Sequence, residues 1–308
     1  MTQGQRQATS ALDERLRPVF VEAGRSGLRA VGMATARWRP APDFLIIGTK
    51  RGGTTSLHSA LSTHPQVLSL FPPGRVPLKR TDTKGVHHFA PGTPRSTTWY
   101  RSHFPLEVTR RRASSPGHRA VAGEASPYYL FHPGAAARAA EAVPNVKVIA
   151  LLRDPVERSF SHYREQKRNG VETLTFEQAL DAEQGRLADD EQRLADGPSF
   201  VSFAHEHQSY RAQSEYAYSL ERWLRHYPRE QVLVLVSEDF YTQPQAALDR
   251  VFTFLGLRPH VLPDMPVLNA APAAPLSADL RKRLRRHFDP DVAHLEELLG
   301  WSPPWPDH

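Results

Sequence analysis

Short apolar runs alternate along the chain with longer stretches in which apolar residues recur every three or four positions. The apolar runs, typical of buried strands, are DFLIIG (43–48), AVAGEA (120–125), VKVIALL (146–152) and QVLVLV (231–236). Helical periodicity predicts helices near 54–63, 155–168 and 214–226. Buried strands separated by helices predict an α/β fold, in which helices cover both faces of a central parallel β-sheet.

Residues 1–42 are predicted to be an extension that precedes one domain at 43–308. Leu12 and Leu16 belong to a helical apolar stripe that Pro18 interrupts, and a basic run of small residues follows it. A helix packed on the domain or a solvated tail is one interpretation of this extension. The other is peripheral contact with a membrane through its arginines.

Composition limits the class of protein. The 308 residues, of which 40% are hydrophobic, suffice for a sizeable core. The net charge of +6 favours an anionic ligand or partner, without choosing among a nucleotide, a nucleic acid and a membrane surface.

The chain has no cysteine, which excludes disulfides and thiolate metal sites, so we expect a cytoplasmic location. Its apolar runs are too short to span a bilayer, and we expect no transmembrane segment.

The first predicted strand leads into a glycine-rich turn, IGTKRGGTTSL at 47–57. Its glycines and hydroxyl residues would direct backbone N–H groups and a helix N-terminus at an anion. The spacing is close to that of the phosphate loop of nucleotide triphosphatases, but Thr54 stands where their lysine follows the second glycine. The cations here, Lys50 and Arg51, precede the glycines. The turn is therefore predicted to be a phosphate-binding loop with its cation displaced.

This loop resembles the 5′-phosphosulfate-binding loop of sulfotransferases that use 3′-phosphoadenosine 5′-phosphosulfate (PAPS), in which the cation precedes the glycine pair. The resemblance implies a P-loop-like three-layer domain with PAPS as cosubstrate. The donor-binding residues that it implies in the loop are Lys50, Arg51, Gly52, Gly53, Thr54, Thr55 and Ser56. Arg51 stands where the family usually has its lysine, so we assign Arg51 to the leaving oxygen, with Lys50 as the alternative.

A second segment, VKVIALLRDPVERSFSHYREQKRNG at 146–170, strengthens the resemblance. Arg153 follows a predicted strand at its carboxyl end, where open parallel sheets bind ligands, and Pro155 suits the first turn of a helix that carries Ser161. A guanidinium binds phosphate bidentately, although a local ion pair between Arg153 and Asp154 is an alternative. In the family, the corresponding arginine and serine hold the 3′-phosphate.

Three further segments resemble those of the branch that acts on heparan-type glycans and of its bacterial relatives. They are KGVHHF (84–89), TTWYRSHFP (97–105) and GEASPYYLFHP (123–133). In the N-sulfotransferase members the glutamate of the third segment is the proposed catalytic base, which implies that role for Glu124. A structural carboxylate is the alternative for this residue.

His87 is the second candidate for the catalytic base. In the 3-O-sulfotransferase members a further glutamate lies two residues before this histidine, and Gly85 occupies that place here. A packed or surface histidine is the alternative for His87. The acceptor-binding residues that we predict are Lys84, His87, Trp99 and Tyr128.

The resemblance implies in-line transfer of a sulfuryl group from PAPS to a hydroxyl or amine of a carbohydrate-bearing or small-molecule acceptor. No metal is expected, since the fifteen histidines lack HExxH-type spacing.

Two other functions are alternatives to this transfer. The first, an ATP-dependent kinase or NTPase, would need a lysine after Gly53. A nucleic-acid-binding module is suggested by charge alone, and no zinc-finger, homeodomain or RNP pattern supports it, so we expect no nucleic-acid partner.

The proline-rich segment 258–275 is predicted to be a long loop or a lid. In the eukaryotic glycan enzymes, a basic loop that contains glycine clamps the nucleotide. The corresponding stretch here, VLNAAPAAP at 267–275, does not match that loop well. We therefore expect the adenine side of the donor site to be closed differently in this chain.

Overall fold

The structure, a computed structural model, describes residues 27–72, 84–90, 95–197, 199–262 and 276–305. The predictions made for residues 1–26, and for the predicted lid from residue 263 to 275, lie outside the described residues. None of the described helices has the length and apolar composition needed to cross a bilayer.

A parallel sheet of five strands is the centre of the fold, with the order β2-β3-β1-β4-β5. The strands are β1 (Phe44–Gly48), β2 (Val67–Leu68), β3 (Val121–Ala125), β4 (Lys147–Leu152) and β5 (Val232–Val236). The first strand is central, because it pairs with β3 on one side and with β4 on the other. The parallel sheet predicted from the apolar runs is confirmed.

Helices lie before, between and after the strands of the sheet. They are α1 (residues 27–34), α2 (Thr54–Leu61), α3 (Thr97–Arg101), α4 (Glu107–Ala113), α5 (Ala135–Ala142), α6 (Pro155–Arg168), α7 (Phe176–Leu187), α8 (Asp190–Asp196), α9 (Phe203–His207), α10 (Tyr216–Leu224), α11 (Ser237–Thr242), α12 (Pro244–Leu255) and α13 (Ala278–Leu299). Short 3₁₀ turns occupy Ala36–Trp38, Ala212–Ser214 and Arg229–Gln231.

The core consists of two apolar clusters, one on each face of the sheet. Successive side chains of a strand point to opposite faces, and in β1 Phe44 and Ile46 belong to one cluster while Leu45 and Ile47 belong to the other. Helices α2 and α12 cover the first face, and α5, α10 and α13 cover the second. This arrangement confirms the three-layer α/β fold.

The described part of the predicted extension, residues 27–42, lies against α3 and the residues that follow it. The Arg39 guanidinium donates to the carbonyl oxygen of Phe104, and Arg101 Nε donates to the carbonyl oxygen of Arg39 at 2.7 Å. Arg39 is itself buried. These two hydrogen bonds fix the chain immediately before β1 enters the sheet.

Candidate active site

A cavity of about 1090 Å³ opens at the carboxyl ends of β1, β4 and β5. Its walls include the loop between β1 and α2, together with parts of α6, α9 and α11 and the beginning of α13. Ligands bind at this edge of an open parallel sheet, where the chain leaves neighbouring strands in different directions. The predicted site residues that line the cavity are Lys50, Arg51, Gly53, Thr54, Thr55, Ser56, Lys84, Arg153 and Ser161.

The loop before α2 is built around its two glycines. A Cβ on Gly52 would lie 2.6 Å from the carbonyl oxygen of Leu151, and Gly53 has a φ of 90°, in the left-handed region. Gly53 is also the N-cap of α2, and no side chain caps that helix. The backbone N–H groups of its first turn are therefore available for an anion in the cavity.

Arg51 connects the loop to α6. Its φ is 69°, and the side chain donates from Nε to Ser161 Oγ at 3.2 Å and from Nη1 to Glu165 Oε1 at 2.6 Å. The residue predicted to contact the leaving oxygen thus touches one of the residues predicted to hold the 3′-phosphate. The sequence placed these two residues 110 positions apart.

Lys50, the alternative cation, is held by a different carboxylate. Its Nζ donates to Glu206 Oε1 at 2.8 Å and to the Glu206 carbonyl oxygen at 3.0 Å, and it lies 4.8 Å from the centre of the Tyr128 ring. Burial lowers the pKa of Lys50, and the Glu206 carboxylate opposes this shift. Both cations line the cavity, but Lys50 is bound to Glu206 of α9, whereas Arg51 is bound to Ser161, a residue predicted to hold the 3′-phosphate.

Arg153 follows β4 as predicted and points back to the loop, since its Nη1 donates to the carbonyl oxygen of Arg51 at 3.2 Å. Asp154 takes other partners: it accepts the backbone N–H of Glu157 as the N-cap of α6, and it lies 3.6 Å from Arg285. Arg153 and the helix that carries Ser161 thus face the same cavity.

Glu124 lies at the end of β3, is fully buried, and does not line the cavity. Its two carboxylate oxygens accept five hydrogen bonds, of which those from hydroxyl groups measure 2.7–3.1 Å. The donors are the hydroxyls of Tyr100, Ser126 and Tyr129 and the backbone N–H groups of Val86 and His87. The carboxylate therefore anchors the segment 84–90 to the sheet.

His87 lies in that anchored segment, with a φ of 54°. A Cβ on Gly85 would lie 2.9 Å from His87 Nε2, so the imidazole occupies space that a longer side chain at position 85 would need. Burial lowers the pKa of His87, and the nearby Glu124 and Glu206 carboxylates oppose that shift. His87 does not line the cavity, and its predicted role, like that of Glu124, stays a prediction.

The remaining predicted acceptor residues occupy different places. Lys84 lines the cavity and donates from Nζ to Thr55 Oγ1 at 2.5 Å. Tyr128 is buried and its hydroxyl lies 2.8 Å from His205 Nδ1, while Trp99 packs against His103 with ring centres 4.2 Å apart. The structure thus brings Lys84 to the phosphate-binding loop and places Tyr128 and Trp99 outside the cavity lining.

Several residues in or next to the cavity were not singled out from the sequence. Ser237 begins α11, and its hydroxyl donates to the Leu152 carbonyl oxygen at 2.9 Å, while Tyr241 lies over Gly53 and contacts Ser56 Oγ at 3.3 Å. Glu165 lies one helical turn after Ser161, and that spacing was a usable signal because positions i and i+4 share a helix face. Nothing in the sequence pattern pointed to Glu206.

The described residues contain no group of three or more His, Cys, Asp or Glu side chains placed to hold a metal ion.

Comparison with known proteins shows the family to which the chain belongs. The model of the sulfotransferase domain matches residues 41–265, and the chain belongs to this family. The solved structure of a sulfotransferase from Alicyclobacillus acidocaldarius is similar, with a TM-score of 0.62 and 31% identity over 86% of this chain and 98% of that one. The membership confirms the resemblance drawn from the two phosphate-binding motifs.

Two curated relatives are similar to parts of the chain. It is 30% identical over 225 residues to the human bifunctional heparan sulfate N-deacetylase/N-sulfotransferase 3, an alignment that covers 71% of this chain and 23% of that protein. It is 25% identical over 329 residues to the membrane-associated sulfotransferase kil1 of Dictyostelium discoideum, covering 86% of this chain and 66% of the relative. The chain therefore spans about a quarter of the length of the bifunctional relatives.

Proposed function

We propose that the protein transfers a sulfuryl group from PAPS to a hydroxyl or amine, with release of adenosine 3′,5′-bisphosphate. The observation that supports this most is the meeting of Arg51, Arg153 and Ser161 at one cavity, at the ends of β1 and β4. These residues come from the two motifs by which the sequence resembles PAPS-dependent enzymes, and the sulfotransferase domain match includes both motifs.

In this proposal the loop binds the 5′-phosphosulfate end of the donor. The N–H groups of Gly53 and of the first turn of α2, with the hydroxyls of Thr54, Thr55 and Ser56, surround the 5′-phosphate. Arg153 and Ser161 hold the 3′-phosphate, where a guanidinium supplies paired, charge-assisted hydrogen bonds. Gly52 serves the same loop through its close approach to β4.

The chemical step is an in-line displacement at sulfur. The acceptor oxygen or nitrogen bonds to sulfur while the bond between sulfur and the bridging oxygen of the 5′-phosphate breaks. Negative charge develops on that oxygen, and Arg51 stabilises it; a single well-placed donor of this kind typically contributes about 3–4 kcal/mol. In this proposal, fixed charges and N–H groups of the protein stabilise the negative charge that develops on the bridging oxygen.

We propose a carbohydrate-bearing or small-molecule acceptor. Lys84, at the cavity wall beside Thr55, is the proposed acceptor contact that the geometry supports best. His87, Trp99 and Tyr128 would act from behind this wall, by fixing the segment 84–90 and the Lys50–Glu206 contact. The ATP-dependent kinase and the nucleic-acid-binding module are not favoured, because the chain is a sulfotransferase family member and carries Thr54 in place of the triphosphatase lysine.

Calorimetry with adenosine 3′,5′-bisphosphate and adenosine 5′-phosphate tests the donor site. We expect the bisphosphate to bind in a chelator, and Arg153→Ala to weaken it by roughly 10- to 100-fold, the equivalent of ~1.5–3 kcal/mol for a lost charge-assisted contact. Adenosine 5′-phosphate, which lacks the 3′-phosphate, should lose far less affinity in the same variant.

Arg229→Ala is the matched control, because Arg229 bonds the Val232 carbonyl oxygen and does not line the cavity. It should bind both nucleotides as the wild type does. Equal losses for the two nucleotides in Arg153→Ala would place Arg153 elsewhere. Strict dependence of bisphosphate binding on magnesium would contradict the proposed function.

A further inference from the structure

Both cations of the phosphate-binding loop are neutralised by carboxylates of the protein itself. Arg51 Nη1 lies 2.6 Å from Glu165 Oε1, and Lys50 Nζ lies 2.8 Å from Glu206 Oε1. The Arg51–Glu165 pair lines the cavity, with both side chains close to 30% exposed, whereas Glu206 lies outside the cavity lining. An anionic donor that binds Arg51 therefore competes with Glu165 for the guanidinium.

Glu165 differs from the other carboxylates of the cavity. Among the residues that the structure describes, the acidic side chains in the cavity wall are Glu157, Glu165 and Glu238. The two oxygens of Glu238 accept the backbone N–H of Asp154 and the indole N–H of Trp305, and Glu157 is paired with an arginine of α13. Glu165 is the carboxylate of this set whose ion-pair partner is the residue proposed to bind the leaving group.

We propose that Glu165 is the general base of the transfer, a role that rests on the proposed function. When Arg51 turns to the bridging oxygen of the donor, the Glu165 carboxylate is released beside it. The acceptor oxygen or nitrogen then forms its bond to sulfur and gives its proton to a Glu165 carboxylate oxygen. The electron pair of the broken sulfur–oxygen bond stays on the 5′-phosphate oxygen, next to Arg51.

The surroundings of Glu165 suit this exchange. Glu165 lies one turn after Ser161 on α6, and Arg51 bonds both residues, so the proposed base adjoins the donor site. The charged or titratable groups that face it from other elements are Arg51, Lys50, Lys84 and His207. Burial lowers the pKa of Lys84 and of His207, and the Glu165 carboxylate opposes both shifts.

Glu165 also fits the role better than the bases predicted from the sequence. The oxygens of Glu124 are taken by five donors, and neither Glu124 nor His87 lines the cavity. His207 does line it, but it lies at the end of α9, with Nε2 4.0 Å from Glu206 Oε2. Among the described carboxylates of the cavity wall, Glu165 is the one that the release of Arg51 leaves without that ion pair.

The test compares Glu165→Gln with Glu206→Gln, since each substitution removes the carboxylate partner of one loop cation. With PAPS and an acceptor that the wild type uses, Glu165→Gln should lower turnover by ~10²–10⁴-fold, the usual contribution of a general base. Its affinity for adenosine 3′,5′-bisphosphate should equal or exceed that of the wild type, because Arg51 no longer has to leave a carboxylate. Glu165→Asp should recover part of the turnover.

Glu206→Gln should keep turnover within about tenfold of the wild type. It removes the partner of Lys50 but leaves the proposed base in place, and loss of a general base usually costs more than tenfold. Three results would overturn the assignment: Glu165→Gln turnover within about threefold of the wild type, an equal loss in Glu206→Gln, or a parallel loss of turnover, bisphosphate affinity and melting temperature. A wild-type protein that transfers no sulfate from PAPS would instead overturn the proposed function, and the base assignment with it.

Discussion

Replacing Arg51 with alanine is expected to lower turnover by about 10²–10³-fold, while the affinity for adenosine 3′,5′-bisphosphate falls by less than tenfold. The difference arises because charge on the leaving oxygen grows toward the transition state, so a donor aimed at it acts most strongly there. Steady-state kinetics and calorimetry on the same preparation measure the two quantities.

Lys50→Ala is the control within the same loop. Lys50 is bound to Glu206 and lies outside the contacts that Arg51 makes with Ser161 and Glu165, so its removal should cost less turnover. A larger loss of turnover in Lys50→Ala than in Arg51→Ala would show that Lys50 is the cation on the leaving oxygen. The Arg51→Ala variant should also keep its fold, because the Arg51 side chain is about 30% exposed.

Glu124→Gln is expected to destabilise the protein more than it changes the chemistry. The substitution leaves an amide where five donors converge on a buried carboxylate, and a hydrogen bond to a charged group typically contributes about 1.5–3 kcal/mol. The melting temperature should fall, and activity should follow the folded fraction. Thermal unfolding, and turnover per folded molecule, measure both effects.

The opposite result would restore Glu124 as the base. In that case Glu124→Gln would keep the melting temperature and the bisphosphate affinity of the wild type while turnover fell by ~10²-fold or more. His87→Asn provides the comparison, since His87 shares the segment that Glu124 anchors. A selective loss of turnover in His87→Asn alone would assign the base to His87.

The sequence predicted the main features of the fold because they follow from local patterns. The apolar runs became β1, β3, β4 and β5, and the helix predicted at 155–168 begins at Pro155 and ends at Arg168. The strand β2 was missed because it has two residues, too few to show any period. The helix predicted at 54–63 ends two residues earlier, at Leu61.

The positions of the candidate site residues could be predicted only where one segment carries both the motif and the strand end and helix that orient it. The loop at 48–56 and the pair Arg153 and Ser161 are such cases, since a strand end and the following helix fix their direction. The partners that come from distant segments could not be predicted in the same way. Glu206 reaches Lys50 from 156 positions away, and the donors to Glu124 come from three separate segments. Such contacts depend on tertiary packing.

The most direct test of the central claim is transfer of labelled sulfate from PAPS, in the presence of a chelator, to a panel of glycan, glycolipid and small hydroxylated or aminated acceptors. We expect labelled product from at least one acceptor class, with adenosine 3′,5′-bisphosphate formed in equal amount and product formation reduced by about 10²-fold or more in Arg51→Ala. Magnesium-dependent transfer of the γ-phosphate of ATP, with no sulfate transferred from PAPS to any acceptor of the panel, would contradict the account.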